Sequence, residues 1–248
     1  MSEAAGADSG EDRAASNLPT ARSPRIVLFD LDDTLCDYAG ARHRRLTIAF
    51  RDALAAIPLE QRPDIDALIA RSIALAPHGE AHFPDLLRAH GVEDERAIAR
   101  AQSWFRANRL HGLDLFADAA DVLRTVRAQR PDRRLGIITN GPADVQREKI
   151  ERLALAPLLD VVLISGEVGI EKPDPRIFAL ALDKVGGLPS EAVYVGDAPG
   201  FDIAGAVAAG VRAVWLNRVG TPFPPDHPPP DAELRELAEL VELLSERI

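Results

Sequence analysis

The chain has a single cysteine, Cys36, in 248 residues, so no disulfide can form within it and no C-x-x-C metal site exists. That scarcity fits a reducing compartment, and a cytoplasmic location is expected. Long apolar runs are also missing. The longest candidate, Ile203 to Leu216, is interrupted by Arg212 and falls short of the ~20 residues a membrane-spanning helix needs. The N-terminus is acidic and lacks the apolar core of a secretory signal, so none is expected. Positive charge is in deficit, with a net charge of -10 and a pI near 5.1. Such a balance argues against a nucleic-acid polymer or an anionic membrane surface as partner. An acidic protein acting on an anionic substrate must then gather positive charge locally, from a metal ion or well-placed lysines. The apolar content of 46% and charged content of 27% suit a globular protein with one sizeable core and a smaller appendage.

Residues 1–24 are rich in Ala, Ser, Gly and charge and are expected to form a disordered tail. Beyond them, five short apolar runs each end in polar or small residues. Ile26-Val27-Leu28-Phe29 leads into Asp30, and Leu135-Gly136-Ile137-Ile138 into Thr139-Asn140-Gly141. Val161-Val162-Leu163-Ile164 leads into Ser165, Ala192-Val193-Tyr194-Val195 into Gly196-Asp197, and Ala213-Val214-Trp215-Leu216 into Asn217. Helical spacing fills the intervals at Ala143–Leu155, Asp174–Val185 and Asp202–Ala209. Strands alternating with helices predict right-handed βαβ units: an α/β fold with a Rossmann-like parallel sheet. The polar run ends would then share one edge of that sheet. After the proline-rich stretch around 222–230, Asp231–Ile248 reads as a terminal strand and helix returning to the core.

The interval after the first run is too long for a crossover of a dozen residues. Four segments in it show helical spacing: Ala39–Ile57, Asp64–Ala76, Pro84–His90 and Asp94–Leu110. Pro58, Pro63, Pro77 and Gly91 punctuate them. A helical cap over residues 38–113 is expected, hinged near 36–40 and 112–116, with residues 25–37 and 114–248 forming the catalytic core. Such a cap can exclude water and sort substrates.

The segment Asp30-Leu31-Asp32-Asp33-Thr34 places two carboxylates one residue apart at the tip of the first strand. If the extended geometry continues, they point the same way and repel unless a cation or proton lies between them. By itself, D-x-D is more often a pair of solvated loop acids. Four motifs in order change that balance: Asp30-Leu31-Asp32-Asp33-Thr34, Ile138-Thr139-Asn140-Gly141, Glu171-Lys172-Pro173-Asp174-Pro175, and Gly196-Asp197 followed by Asp202. In this the chain resembles the haloacid dehalogenase-like hydrolase superfamily, in the subfamily with an α-helical cap inserted after the first strand. The resemblance spans Ile26 to Asn217.

It implies Asp30 as nucleophile, Asp32 as general acid/base, Thr139 as the hydroxyl of the second motif and Lys172 as the lysine of the third. A carboxylate can take a phosphoryl group, splitting one hydrolysis into two easier steps. Mg2+ held by Asp30, the backbone carbonyl of Asp32 and Asp197 would bridge nucleophile and phosphate, with Asp202 supporting. Lys172, Thr139 and the amides of Asn140 and Gly141 would bind the phosphate oxygens. Asp32 would protonate the leaving alcohol and then activate water. Two positions depart from many relatives: Ala198 and Phe201 stand where serine and asparagine are common, which removes side-chain hydrogen bonds from the metal loop.

The expected activity is hydrolysis of a small phosphorylated metabolite, a nucleotide or sugar phosphate. A haloacid dehalogenase of the same fold attacks carbon and needs no acid at position 32, so Asp32 and Asp197 argue against it. A phosphomutase stays open, and a non-catalytic phosphate-binding protein would not need all five site residues. The cap offers His43, Arg44, Arg45, His78, His82, Arg106, Arg109 and His111 as possible substrate ligands, most of them expected on solvated faces. Cys36 reads as a packing residue beside the hinge. Oligomeric state is not legible.

Overall fold

A computed structural model describes residues 23–76 and 78–245. The expected tail lies outside them except for Ser23 and Pro24, which are tied to the core. The buried Arg133 guanidinium donates to Ser23 Oγ at 2.6 Å and to the Pro24 carbonyl at 3.0 Å.

Six parallel strands form one sheet in the order β3-β2-β1-β4-β5-β6. They are β1 (Ile26–Phe29), β2 (Arg134–Thr139), β3 (Val161–Ile164), β4 (Ala192–Gly196), β5 (Arg212–Leu216) and β6 (Ala232–Leu234). The first five coincide with the apolar runs, and β6 with the start of the predicted terminal element. β1 is central, its Phe29 facing Ile137 of β2 and Val195 of β4. All four of its side chains are fully buried because both faces of the sheet are covered. Strand alternation divides them: Val27 and Phe29 enter one core, Ile26 and Leu28 the other.

Two layers of helix supply those cores. α5 (Ala119–Ala128), α6 (Ala143–Arg152) and the terminal α10 (Glu239–Ser245) send Val122, Leu123, Ile150 and Leu240 to the first. α8 (Pro175–Lys184) and α9 (Ala204–Ala208) send Ile177, Phe178 and Ala206 to the second. The short α7 (Ser165–Val168) follows β3 directly. α8 starts where the sequence dictates: the Asp174 carboxylate accepts from the Arg176 amide at 2.9 Å, and Pro175 fills the first turn.

The long insertion holds four helices: α1 (Tyr38–Ala53), α2 (Ile65–Leu75), α3 (Phe83–Ala89) and α4 (Glu95–Ala107). Asp37, Asp64 and Asp94 cap α1, α2 and α4 through their carboxylates. Leu46, Phe50, Leu68, Phe83, Ile98 and Phe105 build a third core, separate from those flanking the sheet. An independent core is what lets such an insertion move as a unit.

One expected helix differs. The segment 202–209 does not begin as α-helix: a wide turn over Pro199–Ile203 precedes α9. Asp202 therefore sits inside a turn and not at a helix start, and its side chain is turned back toward the sheet.

Candidate active site

Asp30 leaves β1 with its side chain 10% exposed, and Lys172 meets it. The Lys172 ammonium donates to Asp30 Oδ1 at 2.5 Å, to Asp202 Oδ1 at 2.6 Å and to the Tyr194 hydroxyl at 2.9 Å. Two strands and two loops thus converge on one cation. The backbone of Lys172 is held just as firmly: Asn140 Nδ2 donates to its carbonyl at 2.9 Å, and its amide donates to Asn140 Oδ1 at 2.8 Å. The side chain of Asn140 therefore fixes the lysine loop to the end of β2.

Asp197 follows β4, and its Oδ1 accepts from Thr34 Oγ1 at 3.2 Å. Its carbonyl accepts from the Trp215 indole at 2.9 Å. One carboxylate oxygen each from Asp30, Asp197 and Asp202 fall within 4.8 Å of one another. Two buried carboxylates share the ammonium and a third, half-buried one stands beside them, so negative charge is in excess. Burial pushes Asp30 up to about 7, the pull of Lys172 opposing and Asp202 and Asp32 adding repulsion. Burial likewise pushes Asp197 up to about 8, with Asp202, Asp30 and Asp33 adding to it. Burial works against the Lys172 charge, but Asp202 and Asp30 overcome it and hold the ammonium above its ordinary value.

Asp202 is 1% exposed and shares its oxygens between Lys172 and the Ala198 amide, the latter at 2.9 Å. Gly196 makes room for it, since a β-carbon there would stand 2.4 Å from the Asp202 carboxyl carbon. The space that this glycine leaves is taken by a carboxylate. Ala198 contributes its backbone to that carboxylate, and Phe201 is exposed.

Asp32 faces away from Lys172, toward α6. Lys149 Nζ lies 2.8 and 2.6 Å from its two oxygens, and Gln146 Nε2 donates to it at 3.2 Å. The same Gln146 amide reaches Thr139 Oγ1 at 2.5 Å. Asp33, with φ 60°, turns the chain and accepts from the Ala39 amide at 2.7 Å. Burial pushes its carboxyl up to about 6. The Gly141 amide, expected to face phosphate, donates to Ser165 Oγ at 2.9 Å. Cys36 is wholly buried, its thiol pushed up by that burial, and packs beside Leu31 as expected.

Lys149, Gln146 and Tyr194 escaped the reading of the sequence, which put Ser165 at the sheet edge without giving it a role. Gln146 and Lys149 are spaced by three on α6, so one helical face delivers both to the site. That spacing was a signal available in the sequence. Of the cap residues, His43, Arg44, His78, Arg106 and His111 are exposed. Arg106 pairs with Glu80, and Arg109 with Asp144 and Glu148 of α6. Arg45 is buried at 3% exposure, as is Arg42 one turn before it.

Among the described residues, no helix is long and apolar enough to cross a membrane. Residues 24–210 match the haloacid dehalogenase-like hydrolase family. The chain is 42% identical over 178 residues to a phosphoserine phosphatase of Thermus thermophilus, covering 72% of this chain and 68% of that protein. It is 31% identical to an N-acylneuraminate-9-phosphatase of Mus musculus, covering 89% and 93%. The magnesium-bound crystal structure of the HAD-hydrolase YfnB of Bacillus subtilis superimposes with a TM-score of 0.72 at 23% identity, covering 91% of this chain and all of that one. With the parallel sheet, the helical insertion after its first strand and a match over most of its length, the chain belongs to the haloacid dehalogenase-like hydrolase family.

Proposed function

We propose that the protein is a magnesium-dependent phosphomonoester hydrolase of a small phosphorylated metabolite, working through an aspartyl-phosphate on Asp30. The observation that carries this reading is the Lys172 ammonium joined to Asp30 and Asp202, with Asp197 alongside, at the edge of the sheet where β1 ends. Both sequence relatives described above are named as phosphatases.

The donor set suits a hard divalent ion. Among the described residues the second carboxylate oxygens of Asp30 and Asp197 take part in no hydrogen bond, and acids raised toward neutrality are relieved when a dication replaces their protons. Asp30, Asp197 and the Asp32 carbonyl would hold Mg2+, with Asp202 behind. The ion would offset the repulsion between the nucleophile and the phosphate dianion.

The chain's own groups do the rest. Lys172 orients the Asp30 carboxylate and presents fixed positive charge to the non-bridging oxygens. Thr139 and the Asn140 amide donate to those oxygens; the Gly141 amide joins when Ser165 releases it. Asp30 attacks phosphorus and the bond to the alcohol oxygen breaks. Asp32 delivers a proton to that oxygen, then takes one from the water that attacks the aspartyl-phosphate and frees inorganic phosphate. Residues 38–113 act as the cap over this chemistry. Asp32, gripped by Lys149 and Gln146, favours hydrolysis over dehalogenation, in which no leaving alcohol needs a proton. The single cysteine, buried as a thiol, supports a cytoplasmic setting.

Turnover of p-nitrophenyl phosphate with magnesium tests the assignment of roles. Asp30→Asn should abolish it, whereas Asp32→Asn should slow it by about 10²–10⁴-fold. Equal and mild losses in the two variants would overturn the division.

A further inference from the structure

Arg42 and Arg45 lie one turn apart on α1, each 3% exposed, and neither forms an ion pair among the described residues. Arg44 between them shows the ordinary alternative: it is exposed and pairs with Asp37 at 2.9 Å. Among the described residues Arg42 makes one hydrogen bond, from Nη2 to the Ala76 carbonyl at 2.5 Å, while its Nε and Nη1 are buried without a partner there. Arg45 Nε is buried without a partner as well.

A buried arginine with a structural role looks different, as Arg133 demonstrates. That guanidinium is 1% exposed, and its Nε, Nη1 and Nη2 all donate, to Pro24, Val126, Gln129 and Ser23. Around Arg42 and Arg45 the compensation is aromatic. Phe105 lies 5.9 Å from Arg42 and 4.8 Å from Arg45, and Tyr38 lies 5.8 Å from Arg45. A ring face attracts a cation but leaves in-plane N–H donors unanswered, and two like charges buried side by side repel. Burial and the Arg45 charge draw Arg42 below its ordinary value, with Tyr38 opposing. An anion is the missing component.

The position points to the substrate. Tyr38 stands between the arginines and the catalytic groups, with Lys149 Nζ 4.1 Å from its ring centre and its hydroxyl 3.3 Å from His78 Nδ1. Lys149 grips Asp32. Arg45 is therefore one phenol ring removed from Lys149, which itself holds the residue that handles the leaving alcohol.

We infer that the substrate carries a second anionic group on its alcohol portion, distal to the ester, and that Arg42 and Arg45 bind it. The inference rests on the phosphomonoesterase reading given above. A carboxylate and a second phosphate are the two sources of such charge. Losing a charge-assisted hydrogen bond to it should cost about 10- to 100-fold in kcat/KM.

The test compares kcat/KM, with magnesium, for three kinds of phosphomonoester. O-phosphoserine and 3-phosphoglycerate carry a carboxylate, fructose 1,6-bisphosphate a second phosphate, and glycerol 3-phosphate and O-phosphoethanolamine neither. The ratio of anionic to non-anionic substrate cancels any loss of folded enzyme. Wild type should prefer at least one anionic class by tenfold or more, and the class preferred identifies the group. Arg42→Gln and Arg45→Gln should each cut that ratio by about tenfold or more, with Arg42→Lys restoring part of it. No anionic preference in wild type, or a ratio unmoved in both glutamine variants, overturns the inference. Failure of wild type on every ester, p-nitrophenyl phosphate included, overturns the hydrolase reading beneath it as well.

Discussion

Lys149 Nζ meets both carboxylate oxygens of Asp32, at 2.8 and 2.6 Å, while lying 4.1 Å from the centre of the Tyr38 ring. A helix of the core, the loop after β1 and the first residue of the insertion are thereby joined through one buried ammonium. The lysine side chain is 3% exposed, so this contact is not weakened by solvent as a surface pair would be.

Lys149 is accordingly expected to position Asp32. Lys149→Met should lower kcat by about 10- to 100-fold, since removing one partner frees a side chain whose proton transfer needs close alignment. KM for p-nitrophenyl phosphate should change little, because Lys149 does not face the phosphate. Steady-state kinetics checks this, and a change confined to KM would reject the positioning role.

Magnesium should stabilise the fold more at pH 8.5 than at pH 6. Asp30 and Asp197 are held at about 7 and about 8, above their unfolded values of 3.8. Between those limits the folded state binds more protons than the unfolded state, so these acids withdraw stability from the ion-free protein as pH rises from ~4 to ~8. A dication must displace the same protons, so its binding strengthens over the upper part of that window. Thermal melts with and without magnesium at the two pH values provide the measurement. An equal rise in Tm at both would show that these carboxylates do not take up the ion.

Gly196→Ala should destabilise the protein by about 1–3 kcal/mol, the usual cost of forcing an extra group into packed space. The new β-carbon would stand 2.4 Å from the Asp202 carboxyl carbon and 2.6 Å from its β-carbon, so Asp202 must leave Lys172. Denaturant unfolding should register the loss, and activity should fall with it. A variant as stable and active as wild type would mean that Asp202 has another place to go.

Burial of apolar side chains and strand periodicity are local properties, and they made the five main strands and the four insertion helices legible in the chain alone. The four motifs marked Asp30, Thr139, Lys172 and Asp197: three sit at or directly after a strand end, and Lys172 lies in the loop between α7 and α8. Partners contributed by helix faces were harder to see. Gln146 and Lys149 come from α6, more than a hundred residues from the Asp32 they hold. Tyr194 resembled any apolar strand residue until its hydroxyl was found on Lys172 and Asp202.

The order of residues alone determined the parallel sheet, the helical insertion and the chemical types gathered at the sheet edge, because hydrophobic spacing encodes which faces are buried. Only the packed chain decided how charges pair. Asp202 turned inward through the space left by Gly196, Asp32 turned to α6, and Arg42 lost solvent while Arg44 kept it. Pairing depends on distances across the sheet and between layers, which no spacing along the chain records.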